Sequence, residues 1–251
     1  MSLEIDLGEV RRLEQLAFRG WPALETRDIA GWRLRFAGGY TKRANSINSL
    51  GHTAQSDPQT VANLESVYRE RGLAPVWRLT PLAPTAIRDL LVEPAYRVVE
   101  RSQVQVAPLA ARFAPDPAVR IDARPSARWI EAFAKHSPVA PHHRETMQRM
   151  LPAMPKAGFA LVEQSGEPLA MAIGVVDGEH MGLFDVLVMP QARRQGLARR
   201  ITQSLYAWAW SEGARFAYLQ VVATNAAALP LYAAQGFRTV YQYEYRVPSL
   251  A

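Results

Sequence analysis

The 251-residue sequence contains no cysteine. That excludes disulfides, thiolate metal ligands and a cysteine nucleophile, and it fits a reducing compartment. No run of about 18 uncharged apolar residues occurs, so no membrane-spanning helix is expected. The first residues, with Glu4, Asp6 and Glu9, lack the basic-then-apolar layout of a secretory signal, and a cytoplasmic location is expected. No His/Asp/Glu spacing suggests a metal site. Acidic residues are the scarcer charge: 23 Asp and Glu stand against 29 Lys and Arg, a formal net charge of +6. This excess favours an anionic ligand or partner. Without a long Lys/Arg tract interleaved with aromatics, nucleic acid is not the expected one. Hydrophobic residues make up 49%, enough for real cores, and the length allows one large domain or two small ones.

Between about Val106 and Val119 a proline and alanine stretch without helical or strand period reads as a linker. It divides the chain into residues 1–110 and 111–251. In the second part the pattern predicts a strand near 119–124 and a helical region from Ser126 to about Met150, interrupted at Ser137-Pro138. Strands follow near 158–164, 168–177 and 181–189, with a hairpin signal at Asp177-Gly178. A helix is expected from about Gly196 to Glu212, with Leu197, Ile201, Leu205 and Trp208 on one face and Gly213 as its cap. A strand at 216–223, a short helix ending before Gly236 and a strand at 238–247 complete a mixed α/β pattern.

The most informative stretch is Arg193-Arg194-Gln195-Gly196-Leu197-Ala198, between a strand ending at Met189-Pro190 and a helix. A loop entering a helix points unpaired amides and the positive end of the helix dipole at whatever lies in front of it. Gly196 removes the side chain that would block close backbone approach, and Arg193, Arg194, Arg199 and Arg200 can pair with phosphate oxygens. Taken alone, the loop is equally an ordinary turn with a solvated basic face. The absence of a Gly-Lys-Ser/Thr ending rejects a phosphate-loop nucleoside triphosphatase.

The two halves also resemble each other. One constant offset sets Tyr96-Arg97-Val98-Val99 against Phe237-Arg238-Thr239-Val240, Trp77 against Tyr218, Gly72 against Gly213, Leu64 against Leu205 and Leu91 against Tyr232. The same offset places His52 to Asp57 opposite Arg193 to Ala198. That first copy carries no arginine and no glycine, so one anion site per chain is expected.

Arg193, Gly196 and Ala198 after the strand Val186-Leu187-Val188, followed by Asn225, Leu231-Tyr232 and Gly236-Phe237, resemble the GNAT superfamily of acyl-CoA-dependent N-acyltransferases. The resemblance covers roughly residues 119–247. It implies tandem GNAT-like halves, each a mixed β-sheet flanked by helices, with a degenerate first half and a catalytic second half. It also implies acetyl-CoA as co-substrate, an amine acceptor and no metal, and leaves a homodimer open.

By the same resemblance, the backbone of Val186, Leu187 and Val188 pairs with the pantetheine arm. Arg193, Arg194, Gln195, Gly196, Leu197, Ala198 and Arg199 hold the pyrophosphate, and Asn225 and Tyr232 contact the cofactor. Tyr232 stands at the position of the general acid, where a phenol of ordinary pKa about 10 is protonated at neutral pH. The other reading of Tyr232 is a half-buried core tyrosine. Asn225 and Tyr232, seven apart, are expected on one face if a single helix holds both, although Pro230 disturbs that helix unless it starts near Ala227 to Leu229.

The proton acceptor is less legible. Asp185 precedes the cofactor strand and is the first candidate base; it can also simply face solvent. His142, beside His143, falls where the family forms its acceptor pocket, or in a surface loop. In the first half, Gly31-Trp32 through Gly38-Gly39-Tyr40 to Arg43-Ala44-Asn45-Ser46 resembles the N-terminal half of two-part GNAT proteins. Arg43, Asn45 and Ser46 then line an acceptor cleft or satisfy backbone in a tight turn. Direct attack is expected, since no nucleophile elbow is present. The rival reading is a non-catalytic acyl-CoA-binding module.

Overall fold

Helix starts are written locally. Asp6 accepts from the amide of Gly8, Asp57 from that of Thr60 with Pro58 in the first turn, and Ser126 from that of Trp129. The computed structural model describes residues 5–249 apart from Arg112 and Pro138; Glu4 and Pro138, both used above, lie outside the described residues. Its elements are α1 (Leu7–Gly20), β1 (Glu25–Ile29), β2 (Trp32–Phe36), β3 (Ile47–Ser49), α2 (Pro58–Arg69), β4 (Trp77–Leu79), α3 (Thr85–Leu90) and β5 (Tyr96–Pro108). There follow β6 (Val119–Asp122), α4 (Ala127–His136), α5 (Arg144–Met150), β7 (Ala157–Gln164), β8 (Glu167–Asp177), β9 (His180–Val188), α6 (Leu197–Ser211), β10 (Phe216–Val222), α7 (Ala228–Ala234) and β11 (Arg238–Pro248).

The chain forms two compact units. The first holds the chain as far as Val104, together with Val221–Asn225 and the segment from Thr239 on; the second holds Gln105–Gln220 and Ala226–Arg238. The packing departs from the expected division at 110 in three places: the boundary falls after Val104, Val221–Asn225 joins the first unit, and so does the chain from Thr239. The final strand, read as the end of the second half, lies in the first unit, where Glu244, Tyr245 and Arg246 pair antiparallel with Leu79, Arg78 and Trp77 of β4. Period two explains the choice: Tyr241, Tyr243 and Tyr245 share one face of β11, and all three are buried.

In the first unit the strands run β1-β2-β3-β4-β11, with β5 beyond β11; β3 and β4 pair in parallel, while β1-β2, β2-β3 and β4-β11 are antiparallel. Trp32, Leu34, Ile47, Leu64, Tyr68, Trp77 and Leu79 form its core, with the rings of Trp32 and Trp77 edge to face at 5.1 Å. A buried ion pair joins α1 to β4: Arg78 Nη2 donates to Glu14 Oε1 at 2.9 Å, and the Tyr241 hydroxyl donates to the same oxygen.

In the second unit β6-β7-β8-β9 is an antiparallel meander, and β10 adds to β9 in parallel through the crossover helix α6. Trp129 of α4 anchors this core. Its ring stacks on Phe133 at 4.9 Å and meets Phe159 edge on at 5.2 Å, while its Nε1 donates to the carbonyl of Ala160. Gly182 lies where β9 and β10 touch; a Cβ there would stand 2.6 Å from the Tyr218 hydroxyl, so no larger residue fits without displacement.

The offset seen in the sequence reappears as structure. The run α2-β4-α3-β5 corresponds to α6-β10-α7-β11, and both β3-α2-β4 and β9-α6-β10 are parallel strand pairs bridged by a helix. No helix among the described residues is long and apolar enough to cross a membrane.

Candidate active site

Strand β9 carries the irregularity that makes a site. It pairs with β10 only over His180–Leu183 against Phe216–Leu219, although it runs on to Val188. Beyond Leu183 its pairing among the described residues is with β8, and there the register slips. Phe184 faces Ile173 and Leu187 faces Met171, so Asp185 and Val186 share a single partner position, a β-bulge. Asp185 sits at φ +47, in the left-handed region that aspartate tolerates better than most residues. The bulge leaves Val186, Leu187 and Val188 half-buried on a strand whose β10 side is not paired among the described residues. An extended chain can add there by strand pairing.

After β9, a single 3-10 turn over Pro190–Ala192 leads into the loop. Arg194 at φ +64 and Gly196 at φ +75 turn the backbone into α6. Gly196 is the residue just before the helix, and a Cβ there would meet nothing within 4 Å. The first intrahelical bond of this turn runs from the Arg200 amide to the Gly196 carbonyl at 3.0 Å. The amides of Leu197, Ala198 and Arg199 therefore precede the helical ladder and point outward at an exposed loop. Arg193, Arg194 and Arg199 are exposed around it. Arg200 is engaged elsewhere: its Nε and Nη2 reach Asp116 at 2.6 and 3.2 Å, which removes it from the four arginines the sequence placed at the loop.

Tyr232 lies on α7, buried, with its ring 5.8 Å from that of Phe237. Its hydroxyl is pushed up to about 12, first by burial and then by the charge of Asp185. The charge of Asp185 is thus felt at Tyr232, a coupling between two residues that the sequence could name only separately. Pro230 falls in the first turn of α7, where its missing amide costs no helical bond. Asn225 precedes the helix, its amide bonded back to Val222, so the shared-face argument that joined it to Tyr232 does not apply.

The remaining candidates separate clearly. His142 is exposed on a 3-10 turn at Pro141–His143, its ring 4.0 Å from that of His143, whose pKa is lowered by burial and by His142. Asn45 is saturated by its own loop: Oδ1 accepts from Ala37 and Gly39, and Nδ2 donates to Tyr40 and Thr41. Ser46 is fully buried and bonded with Asn48, and the guanidinium of Arg43 stacks 4.7 Å over Trp21. Asn45 and Ser46 thus hold a turn, because a buried polar group must find a partner locally, while Arg43 is only half-buried. Among the described residues no group of three His, Asp or Glu is placed to hold a metal.

Sequence reasoning missed a buried polar chain behind the loop. The Tyr206 hydroxyl donates to Gln235 Oε1 at 2.9 Å, Gln235 Nε2 donates to Thr202 Oγ1 at 2.7 Å, and Thr202 Oγ1 donates to the Ala198 carbonyl at 2.9 Å. Its only signal in the sequence was two polar residues, Thr202 and Gln235, on otherwise apolar faces.

Comparison with known proteins points the same way. A family model described as "Probable histone acetyltransferase Rv0428c C-terminal" matches residues 7–246. An uncharacterized N-acetyltransferase, YobR of Bacillus subtilis, is 27% identical over 252 residues, covering 96% of this chain and 99% of that protein. A GCN5-related N-acetyltransferase from Kribbella flavida superposes with a TM-score of 0.69 at 16% identity, covering 98% of both chains. A tandem GNAT protein from the clavulanic acid biosynthesis pathway superposes with a TM-score of 0.63 at 10% identity, over 95% of this chain and 88% of that one.

Proposed function

The chain belongs to the family of the Rv0428c C-terminal domain, within the GNAT N-acetyltransferases, and on that premise we propose that it moves an acetyl group from acetyl-CoA to a primary amine by direct attack in a ternary complex. The observation that carries this reading is the bulge at Asp185. It ends the pairing of β9 with β10 and sets a carboxylate where it acts electrostatically on the buried phenol of Tyr232.

The residues present suit acetyl-CoA. The unpaired side of Val186–Val188 receives an extended amide-bearing arm by strand pairing. The amides of Leu197, Ala198 and Arg199, with the open space at Gly196, receive a pyrophosphate, and the exposed Arg193, Arg194 and Arg199 add charge. Asn225, in the turn after β10, is retained as a cofactor contact through the family pattern alone.

In the reaction the amine nitrogen bonds to the acetyl carbon and the C–S bond breaks. The amine, of ordinary pKa near 10, must lose a proton, which Asp185 accepts directly or through water. Once bonded to the acetyl carbon the nitrogen sheds a second proton, which passes through water to the leaving sulfur. Tyr232 is a weaker acid than the thiol that leaves (ordinary pKa about 8.5), so its first contribution is a hydrogen bond to sulfur as charge develops, held in the protonated state across neutral pH. The acetylated acceptor is of unassigned size, and His142 is kept as a residue lining its entrance. Residues 111–251 act as the catalytic repeat and 1–110 as the degenerate one, with a cytoplasmic location suggested by the lack of cysteine.

The test is calorimetric titration of CoA together with thiol release from acetyl-CoA over a panel of amines, for wild type and Tyr232→Phe. Tight CoA binding in both, with turnover lost in the variant, supports the assignment. Binding without turnover on any amine would favour an acyl-CoA sensor.

A further inference from the structure

The polar chain behind the phosphate loop is a line of donors all pointing one way. Tyr206 O–H meets the Gln235 carbonyl oxygen, the Gln235 N–H meets Thr202 Oγ1, and Thr202 O–H is shared between the carbonyl of Ala198 at 2.9 Å, the nearer acceptor, and that of Arg199 at 3.1 Å. The Ala198 carbonyl belongs to the same peptide unit as the amide of Arg199, one of the three outward amides of α6. Tyr206 and Thr202 are almost wholly buried, and Gln235 is 8% exposed, so water does not shield the chain. Gln235 closes α7, the helix of Tyr232, and Thr202 opens the second turn of α6.

We propose that Tyr206, Gln235 and Thr202 form a positioning relay that polarises the Arg199 amide toward the anion it binds and ties the phosphate turn to the helix of the catalytic tyrosine. Successive hydrogen bonds in a dry interior reinforce one another, and donation to a peptide carbonyl strengthens the donor at the other end of that peptide. A threonine bonding back within its own helix is common. What sets this one apart is the side chain of a second helix donating into it. The inference rests on the acetyl-CoA reading for the identity of the anion, while the polarisation itself does not.

The experiment uses 15N-labelled full-length protein with Gln235→Leu, Thr202→Val and Tyr206→Phe. In the absence of nucleotide, the Arg199 amide proton should move upfield in Gln235→Leu and Thr202→Val, and less in Tyr206→Phe, while the Leu197 amide, which receives no such donor, stays in place. CoA affinity should fall by about fivefold in the first two. Tyr206→Phe removes only a hydroxyl and carries the test if Gln235→Leu does not fold. An Arg199 amide unmoved in folded variants, or CoA affinity unchanged, overturns the relay. Failure of wild type to bind CoA would sink the acetyl-CoA reading instead, with the Arg199 shift still deciding the relay.

Discussion

Tyr232 was legible in the sequence through Leu231-Tyr232 and Gly236-Phe237, but its environment was not, because burial and the approach of Asp185 arise from elements far apart in the chain. Tyr232→Phe should lower kcat by about a hundredfold or more with CoA affinity unchanged, measured by thiol release and calorimetry. A parallel loss of CoA affinity would mean that the ring, not the hydroxyl, is what the site requires. Arg78 and Glu14 were not singled out by the sequence at all, since a buried pair of charges looks like two surface residues in one dimension. Both are 3% exposed or less. Truncating either alone, as Arg78→Met or Glu14→Leu, should cost about 3–5 kcal/mol in denaturant unfolding, because the partner is left charged and dry. The double variant should cost less than the sum of the two; full additivity would deny the pairing.

Among the elements, the helices and strands of the second half fall where the hydrophobic period puts them, and the loop before α6 has the glycine it needs. Gly196 at φ +75 has open space around it, so a side chain there meets strain rather than a clash. Gly196→Val should destabilise by about 1–2 kcal/mol and weaken CoA binding by displacing the amides of Leu197 and Ala198. An unchanged melting temperature and CoA affinity would show that the left-handed turn is dispensable. Pro230 looked like an obstacle to a helix containing Asn225 and Tyr232; α7 simply starts after Asn225. That boundary could not be read from period alone, since a seven-residue helix spans too few turns for its ends to be marked. The bulge in β9 was equally silent, because a bulge is defined by the partner strand and not by the strand that bends.

For the whole molecule, six of the nine tyrosines, Tyr68, Tyr96, Tyr206, Tyr232, Tyr241 and Tyr245, have hydroxyls pushed up first by burial. Between the ordinary value near 10 and the raised folded values, the folded chain keeps protons that the unfolded chain has released. Stability is therefore intact below pH about 10 and is lost as pH rises beyond it. Absorbance at 295 nm should show these tyrosines ionising together with loss of far-ultraviolet dichroism. A smooth titration of all nine near pH 10 with the fold retained would refute this. The sequence by itself determined the family, the order of elements in the second half, the glycine turn before α6 and the repeat, because each is written in residues close together in the chain. The tertiary structure decided where β11 pairs, that Asn45 and Ser46 serve their own turn, that Asp185 sits in a bulge acting on Tyr232, and that Gln235 reaches Thr202. Those outcomes depend on which distant strands and helices meet, and on the rule that a buried polar group takes whatever partner that meeting brings.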